Sequence, residues 1–313
     1  MKFDVVIGNP PYQDGSKDGG LKVLYLAKDH TDLKHLESYR DAGDDLTVVS
    51  CFDAHLDFFK YKGYNVIDSK EFFDLDMKFD VIIGNPPYQG VPTGDKSYNP
   101  LWTKFWKKSF ELVKPDGIIH LITPTTWCAP TAEFSKKDTI NGETRLWNVF
   151  EKHTTYADVV NVARHFKGVN STFGEVRVDM SGRDGLTFSD GFPTHLGFRP
   201  ISGLDEVTKQ LSTENNISSR YKISGKIVPG WRVSLFKSRK INEDNVEVCA
   251  DGESPKSGGN LSLYTHIICP TKDEAEYVRQ RILESASVLY SHCRWHGFID
   301  LKILGMVSVP KNF

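Results

Sequence analysis

Short β-branched apolar runs alternate with amphipathic stretches along the first 180 residues. KVLYLA (22–27), LTVVSCF (46–52), YNVIDS (64–69) and FDVIIG (79–84) read as strands, and their near-continuous apolar character is that of strands covered on both faces. Between the first three lie DHTDLKHLESYRDAG and DAHLDFFKYKG, which carry helical spacing. Further on, Asn99 and Pro100 make an N-cap and N1 pair. The face formed by Leu101, Trp102, Phe105, Trp106, Phe110 and Val113 predicts a helix that Lys-Pro-Asp-Gly (114–117) ends. IIHLITP (118–124), DVVNVA (158–163) and FGEVRVDM (173–180) supply the remaining strands. Strand and helix alternation of this kind predicts an α/β fold: a Rossmann-like, mostly parallel sheet with helices on both faces.

From Phe188 onward the periodicity weakens. GFPTHLGFRPISG (191–203) reads as a linker, and the chain then alternates short strands with loops, SPKSGGN (254–260) among them. KDEAEYVRQRILES (272–285) is a helix by composition, with Ala275, Val278, Ile282 and Leu283 facing inward. The predicted division is a leading segment 1–20, an α/β domain over 21–185 and an α+β module over 186–313.

A repeat explains the leading segment. MKFDVVIGNPPYQ (1–13) returns as MKFDVIIGNPPYQ (77–89), differing only at Val6 and Ile82, with no similarity beyond either end. Only the second copy has strands before it and an amphipathic helix after it, so Asn85, Pro86, Pro87 and Tyr88 are the expected site. Asn9, Pro10, Pro11 and Tyr12 are read as a duplicated remnant. Two prolines fix the backbone and remove two N–H donors, which leaves carbonyls free to accept. Asn85 adds a side-chain acceptor and Tyr88 a flat aromatic face, a set suited to a planar amine. The alternative is an ordinary strand-ending turn.

The composition of the 313 residues bounds the possibilities: 39 Lys and Arg against 41 Asp and Glu, 39% hydrophobic and 26% charged. Collagen-like, membrane-embedded and globally disordered chains are excluded. MKFDVVIGNPPY lacks a signal-peptide layout, and the expectation is a soluble, cytoplasmic protein with no membrane partner. Cys51, Cys128, Cys249, Cys269 and Cys293 form no CxxC pair, so packing is expected of them, and no metal site. Charge is locally uneven. No acid occurs between Glu214 and Glu243, where Arg220, Lys222, Lys226, Arg232, Lys237, Arg239 and Lys240 interleave with Tyr221, Trp231 and Phe236. Clustered cations of this kind suit phosphates. Trp231, Arg232 and Arg239 are the candidates for base edges and the lysines for the backbone, against the blander reading of a solvated basic strand pair.

FDVIIGNPPYQ (79–89), extended by NPLWTKFWKKSFELVKPDGIIHLITPTTW (99–127) and more weakly by FKGVNSTFGEVRV (166–178), resembles the NPPY-type N6-adenine DNA methyltransferases of restriction-modification systems and phages. The resemblance covers roughly residues 64–180. It implies a seven-stranded methyltransferase sheet, S-adenosylmethionine as cofactor, double-stranded DNA as partner, a cognate restriction endonuclease as a second partner, and target recognition by residues beyond about 185. It also implies that Tyr88 stacks on an extruded adenine while the Asn85 side chain and the Pro86 carbonyl accept its amine hydrogens. Asp53 would take the ribose-binding position and Glu71, in KEFF (70–73), the adenine-contacting one. The chain departs from the family after the first strand, where a glycine-rich turn is expected and no glycine occurs between Gly20 and Gly43. Two other readings therefore stand beside methylation of DNA: a DNA-binding relic without chemistry, and a methyltransferase for RNA or a protein glutamine.

Overall fold

The structure, a computed structural model, describes residues 20–89, 101–133, 139–159, 161–162, 172–181, 186–192, 196–236, 241–256, 264–293, 295 and 301–310. The leading repeat copy lies outside them. The described residues fall into two compact units, Met1–Trp127 with Ala132–Thr194, and Cys128–Thr131 with His195–Phe313.

The first unit runs β1 (Lys22–Ala27), α1 (Leu33–Asp41), β2 (Asp45–Ser50), α2 (Leu56–Tyr61), β3 (Asn65–Asp68), α3 (Ser69–Asp74), β4 (Phe79–Gly84), α4 (Trp102–Leu112), β5 (Val113–Pro124), α5 (Leu146–His153), β6 (Thr154–Asp158) and β7 (Phe173–Asp179). Its seven strands lie in the order β3-β2-β1-β4-β5-β7-β6. All pairings up to β5 are parallel, and β7 is antiparallel to both neighbours. This is the α/β sheet that the strand and helix alternation predicts.

One face of the sheet buries Val23, Tyr25, Val81, Ile83 and Ile122 with Leu36 and Tyr39 of α1 and Phe59 of α2. Aromatic pairs join the helices that follow β3 to one another and to the sheet. Phe72 stacks on Phe105 with centroids 5.0 Å apart, and Trp106 meets Phe150 edge to face at 4.8 Å. The buried Trp106 indole donates to Thr123 Oγ1 at 3.0 Å, which satisfies its one polar atom.

Three expectations are corrected. DVVNVA does not form the sixth strand; TTYAD (154–158) does, because the Asp158 carboxylate accepts from both the backbone N–H and the Nδ2 of Asn161, each at 2.8 Å, and turns the chain out of the sheet. Helix α4 starts at Trp102 without a side-chain cap, its entry N–H groups of Leu101 and Trp102 donating instead to the Tyr88 carbonyl at 3.1 and 3.4 Å. Asn99 and Pro100 lie outside the described residues. Lys-Pro-Asp-Gly does follow the end of the helix, which stops at Leu112, and the run lies within β5, with an ion pair of 2.8 Å from Lys114 to Asp80. The division expected at 185/186 falls after residue 194, because Phe188 stacks on Trp127 at 6.0 Å and Thr187 and Ser189 bracket Ala157 with backbone hydrogen bonds.

The second unit contains α6 (Leu204–Gln210), α7 (Ile217–Arg220), β8 (Lys222–Ser224), β9 (Trp231–Phe236), β10 (Val246–Cys249), β11 (Tyr264–Cys269), α8 (Lys272–His292) and α9 (Leu301–Gly305). Its antiparallel sheet has the order β10-β9-β11-β8. α8 continues seven residues beyond the expected end, and its face of Ala275, Val278, Ile282, Ser285, Ala286 and Leu289 is buried while Leu283 is half-buried. All five cysteines are buried and unbridged. Among the described residues no helix is long and apolar enough to cross a membrane, and no group of His, Cys, Asp or Glu is arranged to hold a metal.

Candidate active site at the ends of β1 and β4

The strand order turns back between β1 and β4, and the crevice beyond the carboxyl ends of strands at such a point is where open α/β sheets take ligands. Gly84 closes β4 with φ 145°, and a Cβ there would lie 2.2 Å from the Leu26 carbonyl oxygen, so only glycine lets the two strand ends approach so closely. The Asn85 N–H then donates to the same Leu26 carbonyl at 3.1 Å. Asn85 is 8% exposed, which sets its side-chain amide inside the protein with one acceptor, Oδ1.

That acceptor receives the Tyr88 hydroxyl in a short hydrogen bond. The Tyr88 ring lies against Phe173 at the start of β7, centroids 4.4 Å apart and planes 32° from parallel, and packs on the core cluster of the sheet. Burial holds the Tyr88 phenol far above its ordinary range, so it remains a donor. Phe173 is a site residue that strand periodicity alone does not single out. It arrives because Phe173 pairs with Pro124 at the carboxyl end of β5, the strand beside β4.

The turn after β1 has no glycine, and a carboxylate organises it. Asp32 Oδ2 accepts from the backbone N–H of Lys28 at 2.7 Å and of Asp29 at 3.3 Å, and Oδ1 from the Tyr25 hydroxyl at 3.4 Å. Burial raises the Asp32 pKa, against the lowering effect of those amides. Asp29 caps the same turn, its Oδ1 accepting from the Thr31 N–H at 2.9 Å.

The two residues expected at the cofactor end differ in their use. Asp53 stands exposed just beyond β2, and none of the described hydrogen bonds involves its side chain. Glu71 is engaged in capping α3: its Oε2 accepts from the Asp68 N–H at 2.8 Å while Asp68 accepts from Lys70 and Glu71. The geometry of Glu71 is therefore that of a helix cap. Rings of His30, His55 and Phe58, about 6 Å apart, join the turns after β1 and β2.

In the second unit the basic stretch divides. Lys222 and Lys226 are exposed, and Trp231 is half-buried with the Lys272 ammonium 5.9 Å from its ring. Arg220 lies over Tyr221 and donates to the Pro310 carbonyl. Arg232 corrects the expectation of a base contact. It is 0% exposed, and its guanidinium donates to the carbonyls of Ala250, at 2.9 Å, and Glu253, because a buried cation must satisfy its donors. Lys237, Arg239 and Lys240 lie outside the described residues.

Residues 23–151 match the family described as Eco57I restriction-modification methylase. No curated protein matches the chain. Among solved structures it is similar to a chain of a type I R-M system, with 10% identity, a TM-score of 0.40, and coverage of 54% of this chain and 40% of that one. A protein of Listeria monocytogenes described as a class I S-adenosylmethionine-dependent methyltransferase gives 12% identity, a TM-score of 0.39 and coverage of 55% and 59%. An S-adenosylmethionine-dependent methyltransferase from Mesorhizobium loti gives 11%, 0.34, and 51% and 91%. The match thus spans under two thirds of the first two of these structures. The family match, residues 23–151, covers less than half of the chain.

Proposed function

We propose that this chain is a site-specific DNA N6-adenine methyltransferase that takes its methyl group from S-adenosylmethionine, with double-stranded DNA as substrate and a cognate restriction endonuclease as partner. The observation that carries the reading is the pairing of Asn85 Oδ1, a buried acceptor, with the aromatic faces of Tyr88 and Phe173 at the end of β4. Asp53 suits the hydroxyls of the adenosine half of the donor. The amides after β1 are held by Asp32, so the methionine carboxylate finds no free amides there. When bound, the donor supplies an electrophilic methyl group.

Everything else is the work of the chain's own side chains. A base within a duplex cannot be reached, so the adenine is extruded at a cost of a few kcal/mol. At 4.4 Å the rings of Tyr88 and Phe173 touch, and a base enters only when Tyr88 swings away. That movement breaks a hydrogen bond worth about 0.5–1.5 kcal/mol and a ring pair worth about as much. Stacking of the base on Tyr88, about 1–3 kcal/mol, offsets the loss. The released Asn85 Oδ1 and the Pro86 carbonyl then accept the two amine hydrogens, which turns the nitrogen lone pair outward. Holding the amine in that orientation is the catalytic contribution, and no protein nucleophile is needed.

The test is incubation of purified protein with S-adenosylmethionine and, separately, a DNA containing all short sequences, an RNA pool and a protein mixture, followed by mass spectrometry. N6-methyladenine in the DNA alone is the expected result. Methylated RNA base or glutamine instead would replace DNA as substrate. Product in none of the three, with DNA still bound, would favour the second reading, a DNA-binding relic, which the Asp32 contacts in the β1 turn support.

A further inference from the structure

We propose that the Asp32 carboxylate is an internal occupant of the β1 turn, filling the place of a ligand's own carboxylate, so that carboxylate-bearing ligands bind only when Asp32 withdraws. The inference rests on the methyltransferase reading in naming the ligand, and on geometry for the rest. Two successive backbone N–H groups, of Lys28 and Asp29, converge on one Asp32 oxygen directly beyond the end of β1. Successive amides that converge in this way make an anion-binding concavity. The concavity lies where the strand order reverses, the position at which ligands enter such sheets.

Asp32 meets that concavity from within the chain, as the residue preceding α1, and Tyr25 steadies its other oxygen at 3.4 Å. Asp29 is a like charge beside it, and among the described residues no cation forms an ion pair with Asp32. A second carboxylate brought to the same two amides would meet the full charge of Asp32 in a partly desolvated turn. One carboxylate must therefore leave before the other can bind. The occupant also explains why the turn works without glycine. Asp32 fixes the amides itself, so the backbone is not required to wrap closely around a ligand.

The consequence is selectivity between two ligands that share an adenosine half. S-adenosylhomocysteine carries an α-carboxylate and 5′-methylthioadenosine carries none. Calorimetric titration of the full chain and of Asp32→Ala with each ligand reads the difference directly. The expected result is that Asp32→Ala binds S-adenosylhomocysteine at least ten-fold more tightly than the unmodified protein and leaves 5′-methylthioadenosine within two-fold. Asp32→Asn keeps an acceptor for the amides but removes the charge. It should gain less, in the same direction, and it serves if the alanine variant does not fold. Weaker binding of S-adenosylhomocysteine by both variants would overturn the proposal, since Asp32 would then be a ligand contact. Equal gains for both ligands would overturn it as well, and either result would leave the methyltransferase reading standing. Absence of binding by every protein to both ligands would overturn the occlusion and the donor assignment together.

Discussion

Tyr88 and Phe173 hold their rings 4.4 Å apart across the mouth of the β4 turn, with the Tyr88 hydroxyl fastened to Asn85. Tyr88→Phe keeps the ring and frees the Asn85 acceptor, so base capture should survive it. Tyr88→Ala removes stacking worth about 1–3 kcal/mol and should lower methylation about 5- to 150-fold. Asn85→Ala should abolish it, while Asn9→Ala and Tyr12→Ala in the leading copy should not. N6-methyladenine formed per hour on a DNA of all short sequences gives the comparison. Equal losses in both copies would reassign the active one.

Gly84 has no room for a methyl group. Gly84→Ala sets a Cβ on the Leu26 carbonyl and asks alanine to hold a positive φ, so it should destabilise the first unit by about 3 kcal/mol. Urea titration followed by tryptophan fluorescence measures this. An unchanged midpoint would show that the strand ends can part freely.

Arg232 and the two exposed lysines should separate stability from binding. Arg232→Met leaves buried carbonyls without their donor and should lower the stability of the second unit by about 3 kcal/mol. Lys222→Glu with Lys226→Glu should leave stability unchanged. It should also flatten the salt dependence of DNA binding by about one unit of log–log slope for each phosphate no longer neutralised. Reversal of the two outcomes would move Arg232 back to the DNA.

His266 makes the second unit acid-sensitive. Its ring is 0% exposed on β11, with Nδ1 2.9 Å from the Ser234 hydroxyl, and burial first and Arg232 second hold its pKa below the ordinary value. The unfolded chain therefore binds the proton more readily than the folded one. Stability from this group is complete above about pH 6.5 and is lost as pH falls through the lower folded value. Hydrogen exchange at β9 and β11 should accelerate as pH falls through that window, after correction for intrinsic exchange. In His266→Gln the acceleration should vanish, even though the variant is less stable throughout.

The parts of this fold that were legible in the chain are those written locally. Continuous apolar runs such as KVLYLA and FDVIIG need cover on both faces, and the double proline after Gly84 can only end a strand, so β1, β4 and the Asn85–Tyr88 turn stand out without a structure. DVVNVA misleads because its valines are indeed buried at 159 and 162, yet the Asp158 carboxylate, which accepts from the Asn161 N–H and Nδ2, takes them out of the ladder. Long-range partnership is what the pattern does not carry. Phe173 reaches Tyr88 only through the register of β7 on β5. Arg232 looked like a hand held out to DNA because composition records charge and not direction. Its direction is set by the carbonyls of Ala250 and Glu253.

The five buried cysteines make the native chain chemically quiet towards thiol reagents. Burial pushes the Cys269 and Cys293 thiols up to about 12 and those of Cys51 and Cys128 higher still, which leaves these four almost no thiolate at neutral pH, while Cys249 is shielded by its burial. A maleimide dye offered to the folded protein has little to attack. Tyr61, 87% exposed on α2, is then a place where Tyr61→Cys would take a single label without removal of any native cysteine. Movements of α2 become open to fluorescence in an otherwise unaltered molecule.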